Sequence, residues 1–556
     1  MGRSNRPSAL FLLVLLLALP AVGQGTGAAA PDRAAQVDAI FAPWNSREKP
    51  GCAVAVGEKG RTVLSRAYGM ADLEHDVPNT LATIFEAGSV SKQFTAAAAL
   101  LLIQQGKLSL QDDVRKYVPE LPDYGTPITI DHLIHHTSGL RDWGGVAALA
   151  GWPRGTRIHT HAHMLDIASR QKSLNYEPGA EFSYTNTGYN LLVLITERVS
   201  GQTFSEFTRQ NLFAPLGMTQ TQWRDDFTRI VKGRAIAYTE QEGAFHSQMP
   251  FENVFGNGGL LTTVGDLLLW NENFVHGKVG GSGLREEQLR RGRLKDGRET
   301  DYAGGLFIGT YKGVPEVSHD GATAGYRAFL GRYPEQGLSV AVLCNAADVD
   351  PGDLGHRTLD LFLKVPETPA PLAPPAPQGI ALAPEALAAK AGVYRSLRTG
   401  DPLRINLTEG HLRTAGGRDL VPLSESLFWA GPDGVQVEVD SGPDGRPTAL
   451  RVVRPGGDVT PYEPVAESAP TPEQLAEYAG EYTSDEAEVT YRVVVEEGKL
   501  FLRARPDVSF ALEPIYVDAF RSEDGVLVRF RRGAGGKVSE LSLGIGRVRD
   551  LRLARR

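Results

Sequence analysis

Ser-x-x-Lys places a hydroxyl one helical turn before an amine, and it is the first pattern in the chain that could do covalent chemistry. It occurs three times, beginning at Ser46, Ser89 and Ser169. Only Ser89 follows a glycine and precedes an Ala- and Leu-rich run, which predicts a helix over 90–105 that ends at Gly106. Free N–H groups at a helix N-terminus favour negative charge on Ser89, and a buried Lys92 on the same face could act as a base. The other two serines have polar surroundings typical of a surface.

Tyr184-x-Asn186 is the second pattern. Tyr184 alone among the 17 tyrosines has Asn two residues later. A stretch containing Gly and Pro precedes it, and residues 188–198 have the pattern of a buried helix. A turn just before a helix is a position suited to function rather than to core packing.

His319-x-Gly321 is the third pattern, and His319 alone among the 12 histidines has Gly two residues later. Residues 317–321 predict a strand, followed by strands over 326–333 and 338–345. The glycine would let a substrate backbone lie against the strand edge.

In this order, the three patterns resemble the penicillin-binding-protein and class C β-lactamase-like serine hydrolases over roughly residues 33–364. The runs TIDHLIHHTSGL (129–140) and GNGGLLTTVGDLLLW (256–270) are similar to segments of the same family. The resemblance implies an α+β catalytic domain, with an antiparallel five-stranded sheet flanked by helices. It also implies a small-molecule or peptide substrate, no cofactor and no metal.

The resemblance assigns roles to individual residues. Ser89 would be the nucleophile, and Lys92 and Tyr184 would share proton transfer, without a choice between them as the acylation base. The backbone N–H groups of Ser89 and Ala322 would form the oxyanion hole. Asn186 would hydrogen-bond the acyl side chain of the substrate.

His319 and Gly321 would belong to the substrate-binding strand, and here the chain departs from the pattern of the family. β-Lactamases and carboxypeptidases usually carry Lys-Thr-Gly on that strand, where this sequence has His319-Asp320-Gly321. Histidine is only partly charged near neutral pH, so the site should attract a carboxylate less strongly. The pattern favours a D-stereospecific peptidase or aminopeptidase. A carboxylesterase, a weak β-lactamase, a non-catalytic penicillin-binding sensor and a cell-wall-binding protein remain alternatives.

The C-terminal part contains an internal repeat. Ala391-Gly392-Val393-Tyr394 matches Ala479-Gly480-Glu481-Tyr482 at an offset of 88, and later matches keep the same order. Short alternating runs predict antiparallel strands, so we expect two small up-and-down β-barrels over 384–464 and 472–556. This layout resembles that of D-aminopeptidases, and the resemblance implies that a barrel loop could reach the mouth of the active site.

The boundaries of the remaining segments follow from composition. Arg3 and Arg6, an apolar run over 9–19 and small residues at 21–23 predict a cleaved signal peptide over 1–23, hence export to the periplasm or the exterior. No stable membrane span is expected after cleavage. The catalytic domain is placed at 33–364, and the Pro-rich stretch 365–383 is predicted to be a linker.

The net charge, a group of histidines and the two cysteines give further information. The formal net charge of -8 argues against nucleic-acid binding, and the oligomeric state is left open. The alternating histidines of HTHAH (159–163) could bind a metal on a strand, although surface histidines are expected.

The only cysteines are Cys52 and Cys344, and their spacing slightly favours two buried thiols. The resemblance, however, implies that their strands pair, which would permit a disulfide.

Overall fold

The computed structural model describes residues 32–365, 377–505 and 508–556. The predicted signal peptide, 1–23, lies outside these residues, as does most of the predicted linker. Within the described ranges, no helix is long and apolar enough to cross a bilayer.

An antiparallel sheet forms the centre of the N-terminal domain. It has six strands, in the spatial order Phe307–Tyr311, Val314–Thr323, Tyr326–Tyr333, Leu338–Cys344, Cys52–Glu58 and Arg61–Tyr68. The expected sheet had five strands. The additional edge strand, Phe307–Tyr311, is joined to its neighbour by a two-residue turn, in which Lys312 and Gly313 both have positive φ. Such turns match the twist of antiparallel strands, so the Lys-Gly pair closes a hairpin here.

The first and last strands of this domain pair at the centre of the sheet. Cys52 lies directly opposite Cys344 in the register, and the two side chains form a disulfide. The strand pairing that the family resemblance implied, and the disulfide that it would permit, are therefore present, and the slight preference for two buried thiols is wrong. The strand Leu338–Cys344 is buried along its whole length because helices cover both faces of the sheet.

The helices form two layers of unequal size. Arg33–Phe41 and Pro351–Leu359 cover one face of the sheet, and a larger core on the other face surrounds Lys92–Gln104 and Asn186–Ser200. Ala96–Ala99 have no solvent exposure, and their small side chains let these two helices pack closely. The other α-helices of this domain are Ile130–Ile134, Trp143–Leu149, His161–Ser169, Phe204–Thr208, Ala214–Leu216, Val264–His276 and Gly281–Leu289.

Short elements complete the domain. The 3-10 turns are Ala42–Trp44, Gly88–Ser91, Val114–Lys116 and Pro334–Gln336, and a π-helical turn spans Arg209–Phe213. The small sheets consist of Met70–Asp72 with Val77–Pro78, Tyr238–Gln241 with Ala244–Ser247, and Phe85–Glu86 with Leu260–Thr262 and Gln222–Trp223.

Two closed antiparallel barrels follow, each with eight strands that pair in sequence order. The first barrel contains Gly392–Ser396, Pro402–Thr408, His411–Thr414, Asp419–Pro422, Leu427–Trp429, Gln436–Ser441, Pro447–Val453 and Val459–Val465. The second contains Gly480–Ser484, Val489–Glu496, Lys499–Ala504, Val508–Tyr516, Ala519–Ser522, Leu527–Arg532, Val538–Ile545 and Val548–Arg555. The expected up-and-down barrels are confirmed.

The internal repeat is visible in corresponding contacts of the two barrels. A short helix, Pro384–Lys390 or Pro472–Tyr478, precedes each first strand. In the first barrel the Tyr394 hydroxyl donates to the carbonyl of Lys390 at 2.7 Å, and in the second Tyr482 donates to Tyr478 at 2.8 Å. The same tyrosine therefore attaches the helix to the barrel in both copies.

The second barrel packs directly against the N-terminal domain. Val146 and Leu149 of the helix Trp143–Leu149 share a hydrophobic core with the barrel. Arg141, which is almost fully buried, forms an ion pair with Glu486 at 2.6 Å and donates to the carbonyl of Arg549 at 3.0 Å. These contacts bring the last hairpin of the barrel to the region around Tyr184.

Candidate active site

A tight turn places Ser89 against the central sheet. Gly88 has φ +50°, and a Cβ atom there would lie 2.6 Å from the backbone nitrogen of Ala322. Only glycine fits this position, because any side chain would push the turn off the strand. Ser89 lies in the 3-10 turn Gly88–Ser91, immediately before the helix Lys92–Gln104.

Lys92 begins that helix, and its side chain is fully buried. The Nζ atom lies 3.2 Å from Ser89 Oγ, 3.0 Å from Asn186 Oδ1 and 2.7 Å from the carbonyl oxygen of Asn257. Burial, and secondly the positive charge of Arg547, lower the pKa of Lys92 well below its usual range. A neutral amine has two protons for the two carbonyl-type acceptors, which leaves its lone pair for the Ser89 proton.

Tyr184 is the third group at this point. Burial raises the pKa of Tyr184, while the nearby Ser89 hydroxyl lowers it. The Tyr184 hydroxyl is buried and has no hydrogen-bond partner among the described residues. Its ring centre lies 4.7 Å from Lys92 Nζ and 4.6 Å from the guanidinium carbon of Arg547. A buried, unpaired hydroxyl beside Ser89 is a donor available to a substrate.

Asn186 is the first residue of the helix Asn186–Ser200. Its backbone N–H donates to Asp142 Oδ2 at 2.8 Å, and its side-chain oxygen accepts from Lys92. Asp142 Oδ1 in turn accepts from the N–H groups of Gly144 and Gly145 at the start of the helix Trp143–Leu149. Asp142 therefore joins two helix starts and fixes the position of Asn186.

His319 lies on the strand Val314–Thr323, but its ring is buried and turned toward Tyr302. Burial, with a smaller effect from the charge of Lys92, lowers the pKa of His319 to about 4. The neutral ring donates from Nδ1 to the carbonyl of Asp320 at 2.6 Å and accepts at Nε2 from the Tyr302 hydroxyl at 3.2 Å. Burial therefore favours the neutral ring over the partly charged ring that was expected, and both ring nitrogens have hydrogen-bond partners.

Gly321 and Ala322 bring the strand backbone to the serine turn. A Cβ atom on Gly321 would lie 2.1 Å from the carbonyl oxygen of Ala87 and 3.0 Å from the backbone nitrogen of Ser89. The two backbones are thus in direct contact, and the backbone nitrogens of Ser89 and Ala322 both lie at this contact. Two N–H groups at one point can stabilise a negative oxygen.

Three groups around the site were missed in the sequence. The carbonyl of Asn257 accepts from Lys92, and the signal was the run GNGG, to which no role was assigned. His136 Nδ1 accepts from the Thr185 N–H at 3.2 Å and its ring lies 4.2 Å from that of Tyr184, so it positions Tyr184. Arg547 could not be recognised from the sequence, because its hairpin belongs to the second barrel and lies far along the chain from the three motifs.

The remaining candidates lie elsewhere. Ser46 is partly exposed, and Ser169 donates to the carbonyl of Asp166 at 2.8 Å at the end of its own helix. His159 is buried, contrary to the expected surface position, and His161–Ser169 is a helix rather than a strand.

Within the described residues, Asp72, Glu74 and His75 form one group whose ligand atoms lie within 4.8 Å of one another. His75 is exposed and paired with Asp72, so an ion pair accounts for this group.

Two family models match the chain. Residues 36–363 match the model described as Beta-lactamase, and residues 464–553 match a domain of unknown function, DUF3471. The first match covers the central sheet and the residues gathered around Ser89, except Arg547. The second covers the second barrel and the Arg547 hairpin.

The chain is also similar to individual proteins of known name or structure. The chain is 28% identical to the D-aminopeptidase of Gluconobacter oxydans over 529 residues, which is 90% of this chain and 95% of that protein. It is 26% identical to penicillin-binding protein 4* of Bacillus subtilis over 55% of this chain and 70% of that protein. Among solved structures, the octameric penicillin-binding protein homologue from Pyrococcus abyssi aligns with a TM-score of 0.55 and 25% identity, over 77% of this chain and 99% of that one.

Proposed function

The chain belongs to the β-lactamase family of serine hydrolases, and from this premise we propose that it hydrolyses an amide or ester through an acyl-enzyme on Ser89. One observation carries the proposal. The buried Lys92 amine lies 3.2 Å from Ser89 Oγ, and its other two neighbours are both acceptors that take up its own protons. That arrangement is a base next to a nucleophile.

Acylation follows from these contacts. Lys92 takes the Ser89 proton while Oγ bonds to the carbonyl carbon of the substrate. The N–H groups of Ser89 and Ala322 hold the resulting oxyanion, and one such donor contributes about 3 kcal/mol. As the bond to the leaving group breaks, the proton reaches the leaving atom through Lys92 and Tyr184, whose hydroxyl has no other partner in the described chain.

Hydrolysis of the acyl-enzyme reverses these proton movements. A water molecule attacks the ester carbon and gives one proton to the Lys92–Tyr184 pair. The bond between that carbon and Ser89 Oγ then breaks, Oγ regains a proton, and the acid is released. The side chain of Asn186 and the strand edge at Gly321 are proposed to hold the acyl part of the substrate. The neutral, buried His319 supports the strand through Tyr302.

For the substrate class, we propose a D-stereospecific peptidase or aminopeptidase. The Gluconobacter oxydans D-aminopeptidase matches both the N-terminal domain and the barrels, which supports this choice. The neutral His319 leaves the strand without the cation that efficient β-lactamases carry there, so carboxylesterase or weak β-lactamase activity is the second candidate.

Export is proposed together with this activity. The pattern of residues 1–23 is that of a signal peptide, and the Cys52–Cys344 disulfide fits an oxidising compartment.

A small panel of substrates tests the proposal: D-Ala-p-nitroanilide, its L isomer, p-nitrophenyl butyrate and nitrocefin. We expect turnover of the D-anilide in excess of the L-anilide, and loss of all turnover in Ser89→Ala. Ser169→Ala, which changes the serine of another Ser-x-x-Lys, is the matched control and should keep full activity.

The panel also separates the candidates. Turnover of the ester or nitrocefin alone would replace the peptidase assignment with esterase or β-lactamase. Activity that survives in Ser89→Ala would refute the nucleophile.

A further inference from the structure

Arg547 lies at the tip of the hairpin between the strands Val538–Ile545 and Val548–Arg555, next to Gly546. Its guanidinium carbon is 4.6 Å from the centre of the Tyr184 ring. The side chain is 47% exposed and forms no hydrogen bond with the described residues. All of its N–H donors are therefore available at the mouth of the site.

The hairpin does not need this side chain for docking. Its backbone is held by Asn175, which donates from Nδ2 to the carbonyl of Arg547 and accepts at Oδ1 from the N–H of Arg549, both at 2.9 Å. The nearest carboxylate, Asp142, is 3.9 Å from Arg547 and already accepts three backbone N–H groups. The guanidinium therefore forms one long ion pair, with Asp142, and the hydrogen bonds that dock the hairpin are made by its backbone.

The charged groups near the site can be seen from their effect on Lys92. The pKa of Lys92 is shifted by the charges of Arg547, Asp142, Arg154 and Asp320. Arg154 is paired with Glu252, and Asp142 is occupied as described. Asp320 is largely exposed on the strand, and it disfavours an anion on that side of the site. An anion is attracted on the Tyr184 side, where Arg547 lies.

We infer that Arg547 binds a carboxylate on the leaving group of the substrate, close to the bond that is cleaved. A planar guanidinium binds a carboxylate through two parallel hydrogen bonds. It lies over Tyr184, the group proposed to pass a proton to the leaving atom, so the carboxylate belongs to the leaving side. The substrate class is a short peptide or related amide or ester whose leaving group ends in a free carboxylate, such as a dipeptide. This inference rests on the proposed function.

The cation therefore comes from the second barrel and not from the strand that bears His319. In chemical terms, Ser89 Oγ bonds to the acyl carbon, the bond to the leaving nitrogen or oxygen breaks, and that atom takes the proton. The leaving group departs with its carboxylate still ionised and bound to Arg547 until release. No other reactant is required.

Two esters that differ only in charge test the inference: the acetyl esters of 3-hydroxybenzoate and 3-hydroxybenzamide, each corrected for its rate with hydroxide. We expect wild type to prefer the carboxylate ester by ~10- to 100-fold in kcat/KM. Arg547→Gln should reduce this ratio to about one, and Arg547→Lys should keep part of it. Arg552→Gln, an equal charge change on the strand that follows Arg547, should keep the full ratio.

A second measurement does not depend on turnover. 3-Hydroxybenzoate should slow the labelling of Ser89 by a fluorophosphonate in wild type and not in Arg547→Gln, whereas 3-hydroxybenzamide should slow neither. No preference in wild type, or a preference that survives in Arg547→Gln, overturns the inference. If Ser89 takes no label, the proposed function itself fails, and the two failures are thereby distinguished.

Discussion

At the scale of single residues, the proposed mechanism depends on the protonation of one buried amine. Among the described residues, no carboxylate lies within ion-pair distance of Lys92, and its hydrogen bonds go to a carbonyl, an amide oxygen and the hydroxyl of Ser89. Removing an ammonium group from water without a counter-ion favours the neutral form. The sequence predicted the Ser89–Lys92 pair, because the two residues are one turn apart. The sequence could not predict the groups that hold the amine and lower its pKa, since only the fold brings Asn257 and Arg547 close to it.

The dependence of activity on pH tests this account of Lys92. As pH falls through the pKa of Lys92, the base becomes protonated, and kcat/KM should fall by about tenfold per pH unit. Arg547→Gln removes a positive charge that lowers this pKa, so the acid limb should move to higher pH. The profile of kcat/KM for the neutral ester would show the shift.

Arg552→Gln is the control for that profile, and its acid limb should stay in place. An unchanged limb in Arg547→Gln would contradict the electrostatic link between the barrel and Lys92.

At the scale of elements, backbone contact between a turn and a strand forms the proposed oxyanion site. Gly88 and Gly321 are both required because the turn and the strand Val314–Thr323 touch without room for a Cβ atom. The sequence predicted the strand and the importance of Gly321, though for a different reason, the approach of a substrate. Direct contact with the serine turn could not be inferred, since it joins segments far apart in the chain.

Gly321→Ala should separate the strand from the turn. The new methyl group would lie 2.1 Å from the carbonyl of Ala87, so the strand must shift and the N–H of Ala322 with it. We expect kcat to fall by ~10²- to 10³-fold, the loss typical of one oxyanion donor. Gly309→Ala, on the edge strand with nothing within 4 Å of a Cβ, should be close to wild type. Equal activity of the two variants would contradict this role.

The disulfide belongs to the same scale. Cys52 and Cys344 join the first and last strands of the N-terminal domain, so the bond closes a long loop in the unfolded chain. We expect no free thiol in the denatured, non-reduced protein, and two after reduction. Reduction should cost about 2–4 kcal/mol of unfolding free energy, measured by chemical denaturation. Two free thiols before reduction would refute the pairing.

At the scale of the whole molecule, the second barrel contributes Arg547 to the proposed site. The repeat in the sequence was sufficient to predict two barrels, because corresponding residues recur at a nearly constant offset. Their position was not predictable from composition. It depends on contacts such as Arg141–Glu486 and Asn175–Arg547, whose partners carry no signal in their local sequence.

Glu486→Ala should weaken the docking of the second barrel. It leaves the buried Arg141 charge without its carboxylate partner, and breaking such a pair typically costs about 3–5 kcal/mol. Limited proteolysis and chemical denaturation would report the loss, and the preference for the carboxylate ester should fall with it. Glu488→Ala removes an exposed partner of Arg170 and should change stability by less than about 1 kcal/mol. If the two variants behaved alike, the buried pair would not be what docks the barrel.

The central claim, an acyl-enzyme on Ser89, is tested most directly by labelling with a fluorophosphonate followed by peptide mass mapping. The account predicts one label per chain, on the peptide that contains Ser89, and none in Ser89→Ala. A label on another serine, or full labelling of the Ser89→Ala variant, would contradict it.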